Sequence, residues 1–132
     1  MPNLMNMTPE EVTQHLRTMA IAGQNDAFRL RMVGRGGPAA PDGRWLMTAA
    51  VADMGPDFML EATRRIADLT ADDFSEDIDP RGERDMGKVE VQGRPVWFKI
   101  DYYDAAFEYG SENPASVEQT RRVLTIMFPE DY

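Results

Sequence analysis

The densest chemical signal in the sequence is a run of carboxylates between Asp72 and Asp85. This stretch holds seven acidic side chains against two arginines, Arg81 and Arg84. Clustered carboxylates can bind a divalent cation, share protons in acid–base chemistry, or present negative charge to a basic partner. In the absence of a more specific pattern, we interpret the stretch as a solvated acidic loop.

A calcium site is the first specific possibility, and the spacing does not favour it. Asp77, Asp79 and Gly82 match the first, third and sixth positions of an EF-hand loop. Arg81 and Lys88 then fall at the fifth and twelfth positions, which need oxygen ligands. The sequence therefore predicts no metal site, and no pattern in it predicts a cofactor.

A second charged group, Lys99 to Asp104, lies on a predicted strand and its end. Alternation along a strand places Lys99 and Asp101 on one sheet face, with Glu90 expected opposite them across a hairpin. Two acids and a lysine in this arrangement can form a metal-dependent nuclease site. A ladder of cross-strand salt bridges on an exposed face explains the same residues, and we favour that interpretation.

Nucleophilic catalysis has little support, because the chain has one histidine and no cysteine. Neither a Ser-His-Asp triad nor a Cys-His pair is indicated. Large aromatic side chains are a better resource, since they anchor many protein interfaces. The candidates for this role are Trp45, Trp97, Tyr102, Tyr103 and Tyr109.

Composition narrows the class of partner. The net charge is −9, from 14 basic and 23 acidic residues. Nucleic acids and anionic membranes are therefore not expected as direct partners, whereas a basic protein surface is. The lack of cysteine fits a reducing compartment, and Met1–Met5 show no signal-peptide pattern, so we expect a soluble cytoplasmic protein.

The first half of the chain predicts a helix followed by two strands. The helix begins after Thr8, in a capping box, and is expected to end at Gly23. Alternating apolar residues predict strands over Phe28–Met32 and Trp45–Val51, separated by a glycine-rich loop.

The second half predicts a second helix and a hairpin. The helix begins at Gly55-Pro56, and the hairpin joins Lys88–Val91 to Pro95–Tyr103. A short helix after Ser116 and a last strand over Leu124–Phe128 follow. We expect a single α+β domain over residues 1–132, with an antiparallel sheet of about five strands and two main helices packed on one face.

Four short motifs, in order, resemble a bacterial family known as domain of unknown function number 3768. They are Asn25–Arg29, Asp79–Gly87, Lys99–Asp104 and Arg122–Met127. The resemblance covers residues 25–132, so that residues 1–24 form an N-terminal helix appended to the family-like region. It implies a protein frequent on mobile elements, with no established activity.

The second motif departs from the pattern of that family, which usually reads Asp-Pro-Tyr-Gly-Glu-His-Asp-Phe-Gly. Arg84 stands where the family has histidine, and Arg81 replaces the aromatic residue. A Glu-His-Asp metal or acid–base site, as the resemblance would imply, is therefore not expected in this chain.

Two functional hypotheses follow. The first is a non-enzymatic acidic protein that docks on a basic protein surface, for example an anti-CRISPR or anti-restriction inhibitor that mimics nucleic-acid charge. The second is a small metal-dependent hydrolase or nuclease using Glu83, Asp85, Asp101 and Asp104. An enzyme needs these carboxylates to converge, whereas a mimic needs them spread over a surface. The candidate site residues are Asp77, Asp79, Glu83, Arg84, Asp85, Trp97, Lys99, Asp101, Tyr103 and Asp104.

Overall fold

The structure is a computed structural model that describes residues 6–132, so the expectation about Met1–Met5 lies outside the described residues. The described chain forms three α-helices, four strands and two short 3-10 turns. The helices are α1 (Pro9–Arg31), α2 (Ala49–Ala52) and α3 (Pro56–Ala67); the strands are β1 (Gly43–Met47), β2 (Met86–Val91), β3 (Arg94–Tyr103) and β4 (Arg121–Met127); the 3-10 turns are Ala71–Asp73 and Pro129–Asp131.

Helix α1 begins as predicted and ends later than predicted. Thr8 caps it in the expected capping box, with the Glu11 amide 3.1 Å from the Thr8 hydroxyl. The helix then continues through Gly23, so the predicted end there and the predicted strand over Phe28–Met32 are both wrong. A glycine inside a helix costs only about 1 kcal/mol. Burial of the face that includes Asn25 and Phe28 against the sheet outweighs that cost.

The predicted strand over Trp45–Val51 is correct only in its first half. Strand β1 ends at Met47, and the next residues form the single turn α2. Val51 is fully buried from this helical turn rather than from a strand. The two alanines before it favour helix over strand, and the alternating pattern concealed that preference.

The second half of the chain follows the prediction more closely. Helix α3 begins at Pro56, and β2 and β3 form the expected hairpin. Gln92 and Gly93 both have positive φ, +53° and +78°, as a two-residue type I′ turn requires. The predicted helix after Ser116 is wrong: its hydroxyl accepts the Gln119 amide at 3.3 Å, but the segment forms only turns.

The sheet has four strands in the order β1-β4-β3-β2. The α+β class is confirmed, whereas the expected antiparallel sheet of about five strands is corrected to a mixed sheet of four. One strand is lost because Phe28–Met32 belongs largely to α1. The sheet is mixed because β1 pairs with β4 in parallel, while β2–β3 and β3–β4 are antiparallel.

One face of the sheet carries the hydrophobic core. Phe28 of α1 and Phe58 and Ile66 of α3 pack with Phe98 and Leu124 from the central strands. The side chains of β3 that point away from this core lie on the opposite face, which no α-helix of residues 6–132 covers. They are Trp97, Lys99, Asp101 and Tyr103.

Candidate functional site

The acidic stretch divides into two parts that behave differently. The outer acidic segment, residues 72–77, begins within the first 3-10 turn, in which Asp73 accepts the Thr70 amide at 2.8 Å. Its four carboxylates are exposed, and within residues 6–132 none of them forms an ion pair. They belong to Asp72, Asp73, Glu76 and Asp77. This segment therefore presents uncompensated negative charge to solvent.

The motif loop, residues 79–87, turns most of its charged groups toward the rest of the chain, whereas the side chain of Arg81 is 68% exposed. Asp79 is only 7% exposed and accepts the backbone amide of Arg84 at 3.0 Å. Arg84 adopts a left-handed conformation, with φ of +53°, and its guanidinium binds Asp26 of α1 at 2.6 and 3.0 Å. Arg29, almost fully buried, donates to the same carboxylate at 2.7 Å. Asp26 thus joins two arginines and fixes the loop to α1.

A second set of hydrogen bonds extends this network to the sheet. The Asn25 amide donates to the Glu83 carbonyl at 3.0 Å and to the Tyr102 hydroxyl at 2.9 Å. That hydroxyl in turn donates to the Glu83 carboxylate at 2.9 Å. Arg122 of β4 donates to the Asn25 side-chain oxygen at 2.7 Å. The motif loop, α1, β3 and β4 are therefore held together by polar contacts around Asn25.

Burial is the main influence on titration in this network. It raises the pKa of the Asp79 carboxyl, against the opposing effect of the Arg84 amide, and one Asp79 oxygen has no partner in the described chain. Burial also raises the pKa of Tyr102, which keeps its hydroxyl a proton donor. Burial lowers the pKa of Arg29 despite the neighbouring Asp26. Structural ion-pair and hydrogen-bond networks shift pKa values in this way, so these shifts do not by themselves indicate an active site.

Two ion pairs line a small cavity at the open face of the sheet. Lys99 lies 3.0 Å from Asp101 on the same strand, and Arg81 lies 2.7 Å from Asp85. The cavity has a volume of about 200 Å³ and is called the charged cavity here; its lining is completed by Met86, Ile100, Tyr102 and Tyr132. The expectation that Glu90 faces them is wrong, because the register places Met86 opposite Lys99 and Pro95 opposite Glu90.

A larger groove lies next to the charged cavity and reaches the outer acidic segment. We call it the aromatic groove: Pro95, Trp97, Pro129 and Tyr132 line it, Asp77 and Lys88 contribute charges, and its volume is about 640 Å³. The rings of Trp97 and Tyr132 pack edge to face, with centroids 5.9 Å apart. The groove thus combines an aromatic surface with one end of the outer acidic segment.

The ten predicted site residues fall into four places. Asp77 and Trp97 line the aromatic groove, and Asp85, Lys99 and Asp101 line the charged cavity. Three others, Asp79, Glu83 and Arg84, belong to the buried network. The last two, Tyr103 and Asp104, lie at the end of β3, where Asp104 accepts the Ala106 and Glu108 amides at 3.2 and 3.0 Å.

Sequence reasoning missed several residues of this region. Tyr132 gave no signal, because nothing in its neighbourhood predicts that the chain returns to Trp97. Asp26, Arg29 and Arg122 gave a weak signal, since they lie in two of the four motifs that suggested the family resemblance. In the structure, these three residues hold the motif loop and Asn25 in place, and they do not supply a reactive group.

A metal-dependent site would need donors that converge. Across residues 6–132, no group of three or more histidine, cysteine, aspartate or glutamate side chains is arranged to hold a metal ion. The four carboxylates of the hydrolase hypothesis are instead engaged with other partners or lie apart. In the same part of the chain, no helix has the length and apolar character needed to cross a membrane.

Comparison with known proteins gives a match to one family model. No curated protein and no solved structure matches the chain. Residues 47–131 match the family described as "Protein of unknown function (DUF3768)". The match begins at the end of β1 and includes the outer acidic segment, the motif loop and the last three strands, whereas Asn25–Arg29 precedes it. Since it spans more than half of the chain, the protein belongs to the DUF3768 family.

Proposed function

We propose that the protein is a non-enzymatic binding protein whose outer acidic segment docks on a basic surface of a protein partner. The observation that carries the proposal is a segment of four exposed carboxylates without ion-pair partners in the described chain, one of which, Asp77, lines the aromatic groove. Charges at the rim of an interface steer association, and aromatic residues at its centre supply most of the affinity. Asp77 connects the two features, because it belongs to the outer acidic segment and also lines the groove.

The segregation of charge supports the same proposal. Acids elsewhere are often neutralised locally, as Asp26, Asp85 and Asp101 are by neighbouring cations. The outer acidic segment has no such compensation in the described chain, and the whole protein carries a net charge of −9. A basic partner is therefore attracted to this segment, where four such charges lie within six residues of the chain.

The hydrolase alternative receives no comparable support, because its carboxylates are not grouped for metal binding in the described residues. The narrower version of the proposal concerns inhibition of a defence system, with a partner surface that normally holds DNA or RNA. That version makes a separate requirement: duplex DNA must compete with the protein for its partner.

The test is capture of a partner from host lysate at low and high salt, with identification of the captured protein by mass spectrometry. The reversal variant is Asp72→Lys, Glu76→Lys and Asp77→Lys. The control variant, Asp53→Lys, Glu108→Lys and Glu112→Lys, makes the same change in net charge at exposed acids elsewhere. We expect the native protein and the control to retain the partner at low salt and the reversal variant to lose it.

Salt provides the second arm of the test. The Debye length shortens from about 8 Å at physiological ionic strength to about 3 Å at 1 M salt, so charges at the rim of the interface lose most of their effect. If the reversal variant retains the same partner, or if capture is unchanged at high salt, the electrostatic docking proposal is rejected. Release of the captured partner by added duplex DNA would support the mimicry version, and retention would reject that version alone.

A further inference from the structure

The aromatic groove has the surface chemistry of sites that bind extended proline-rich segments. Trp97 and Tyr132 meet edge to face, and Pro95 and Pro129 complete the apolar lining. Polyproline II segments dock in aromatic-lined grooves because their proline rings pack on flat aromatic faces. Such segments are already extended in solution, so binding costs them little conformational entropy.

Charge at the groove sets a second requirement on the ligand. Asp77 contributes to the lining, and the remaining carboxylates of the outer acidic segment continue away from it along the chain. A lysine or arginine beside the proline segment would be attracted to Asp77, and the face of Trp97 favours cations as well. Among the described residues that line the groove, Lys88 alone is a cation, so the ligand needs an uncharged or acidic residue near it.

We infer that the aromatic groove binds a proline-containing peptide segment with an arginine or lysine placed against Asp77. The inference rests on the proposed function and names the part of the partner that enters the groove. Its basis is independent of overall acidity, because it depends on the pairing of Trp97 with Tyr132 and on the prolines beside them.

The experiment uses the whole chain and three pools of short synthetic peptides, followed by fluorescence anisotropy of the labelled peptides. The first pool has two prolines in PxxP spacing, a flanking arginine and varied intervening residues. In the second, alanine replaces both prolines, and in the third, glutamine replaces the arginine. We expect the first pool to bind at least ~10-fold more tightly than either of the others, which corresponds to about 1.4 kcal/mol.

Matched variants connect the binding to the groove. Tyr132→Ala and Asp77→Asn should each weaken binding of the first pool. Tyr109→Ala is the control for the first, because Tyr109 and Tyr132 are equally exposed, at 73% and 74%. Asp53→Asn is the control for the second, at an exposed acid outside the groove. Both controls should bind as the native protein does, and unfolding midpoints should be unchanged in all four variants.

The possible outcomes separate this inference from the proposed function. If the alanine pool binds as tightly as the proline pool and both weaken with salt, acidic docking stands and the groove inference is rejected. Binding of the proline pool that Tyr132→Ala does not weaken also rejects it. If no pool binds, the inference is again rejected, while the capture experiment with the charge-reversal variants judges the proposed function by itself.

Discussion

The outer acidic segment and the motif loop are neighbours in the chain and similarly rich in carboxylates. The carboxylates of the first are exposed to solvent, whereas those of the second are buried or half-buried. The outer acidic segment has four carboxylates and no basic residue, and all four are exposed. The motif loop has three carboxylates and two arginines, and its groups contact α1, β3 and each other. The difference lies in the arginines and in the buried partners that α1 provides.

This contrast shows that neighbouring acidic residues in a sequence can have different structural roles. Carboxylates that meet a buried cation or a backbone amide become part of the fold, at the cost of desolvation. Carboxylates without such partners stay hydrated and remain available to another molecule. The two regions therefore predict opposite responses to mutation: loss of stability in the motif loop, and loss of binding in the outer acidic segment.

The largest effect is expected from Asp26→Ala. This change removes the carboxylate shared by Arg29 and Arg84 and leaves the buried guanidinium of Arg29 without a counter-ion. We expect a loss of about 3–5 kcal/mol in the free energy of unfolding, measured by urea denaturation. Asp42→Ala breaks an exposed ion pair with Arg31 and should cost no more than about 1 kcal/mol. Equal losses in the two variants would show that the Asp26 network stabilises the fold no more than an exposed ion pair does.

A smaller effect is expected from Tyr102→Phe. The change leaves an Asn25 amide hydrogen and a Glu83 oxygen without their shared partner. The expected loss is about 1–3 kcal/mol, because partly buried polar groups are left unsatisfied. Tyr103→Phe is the neighbouring control, since the Tyr103 hydroxyl forms no hydrogen bond in the described chain. A Tyr102→Phe variant as stable as this control would show that the network does not stabilise the motif loop.

The pH dependence of stability distinguishes inward from outward carboxylates. Burial raises the pKa of Asp79 above its ordinary value of 3.8, so the folded state binds a proton more readily than the unfolded state. The contribution of Asp79 is therefore most favourable below pH 3.8 and is lost as the pH rises through its raised pKa. We expect the stability of the native protein relative to Asp79→Asn to fall over that interval in urea titrations.

Asp131 is the control for this titration, because its pKa is shifted in the opposite direction. A hydrogen bond from Thr48 and one from the Phe128 amide lower the pKa of Asp131 below 3.8. The stability of the native protein relative to Asp131→Asn should therefore rise with pH through the lowered pKa and stay constant above 3.8. If Asp79→Asn and Asp131→Asn give the same trend, burial of Asp79 does not govern its titration.

The smallest effect on stability is expected in the outer acidic segment. Asp77→Ala removes an exposed carboxylate that has no ion-pair partner in the described residues, so unfolding should change by no more than about 0.5 kcal/mol. Association with the captured partner should nevertheless slow, and surface plasmon resonance would measure this as a lower association rate at low salt. If Asp77→Ala lowers stability but leaves the association rate unchanged, the outer acidic segment contributes to the fold and not to binding, contrary to our expectation.

Local patterns predicted the elements whose determinants are close in sequence. The capping box at Thr8, the proline at Pro56 and the turn at Gln92-Gly93 all lie within a few residues of the structure they specify. The end of α1 was mispredicted because burial of Phe28 against distant strands decides it. The parallel partner of β1 was not predictable either, since no local signal identifies β4.

The candidate site shows the same limit. Lys99 and Asp101 lie on the same sheet face, as predicted, because alternation along a strand reveals which face each residue occupies. The inward orientation of Glu83 depends on Tyr102 and Asn25, which only the folded chain brings together. Composition alone could not show which carboxylates would find such partners.

The parallel pairing of β1 with β4 has a consequence for the order of folding during synthesis. Trp45 of β1 lies opposite Leu124, far along the chain, whereas β2 and β3 are joined by a two-residue turn. The hairpin can therefore form as soon as it leaves the ribosome, but β1 has to wait for β4 to be made. During that interval, Trp45 and Leu46 have no strand beside them, and an unpaired strand of this kind is open to association with other chains until β4 has been made.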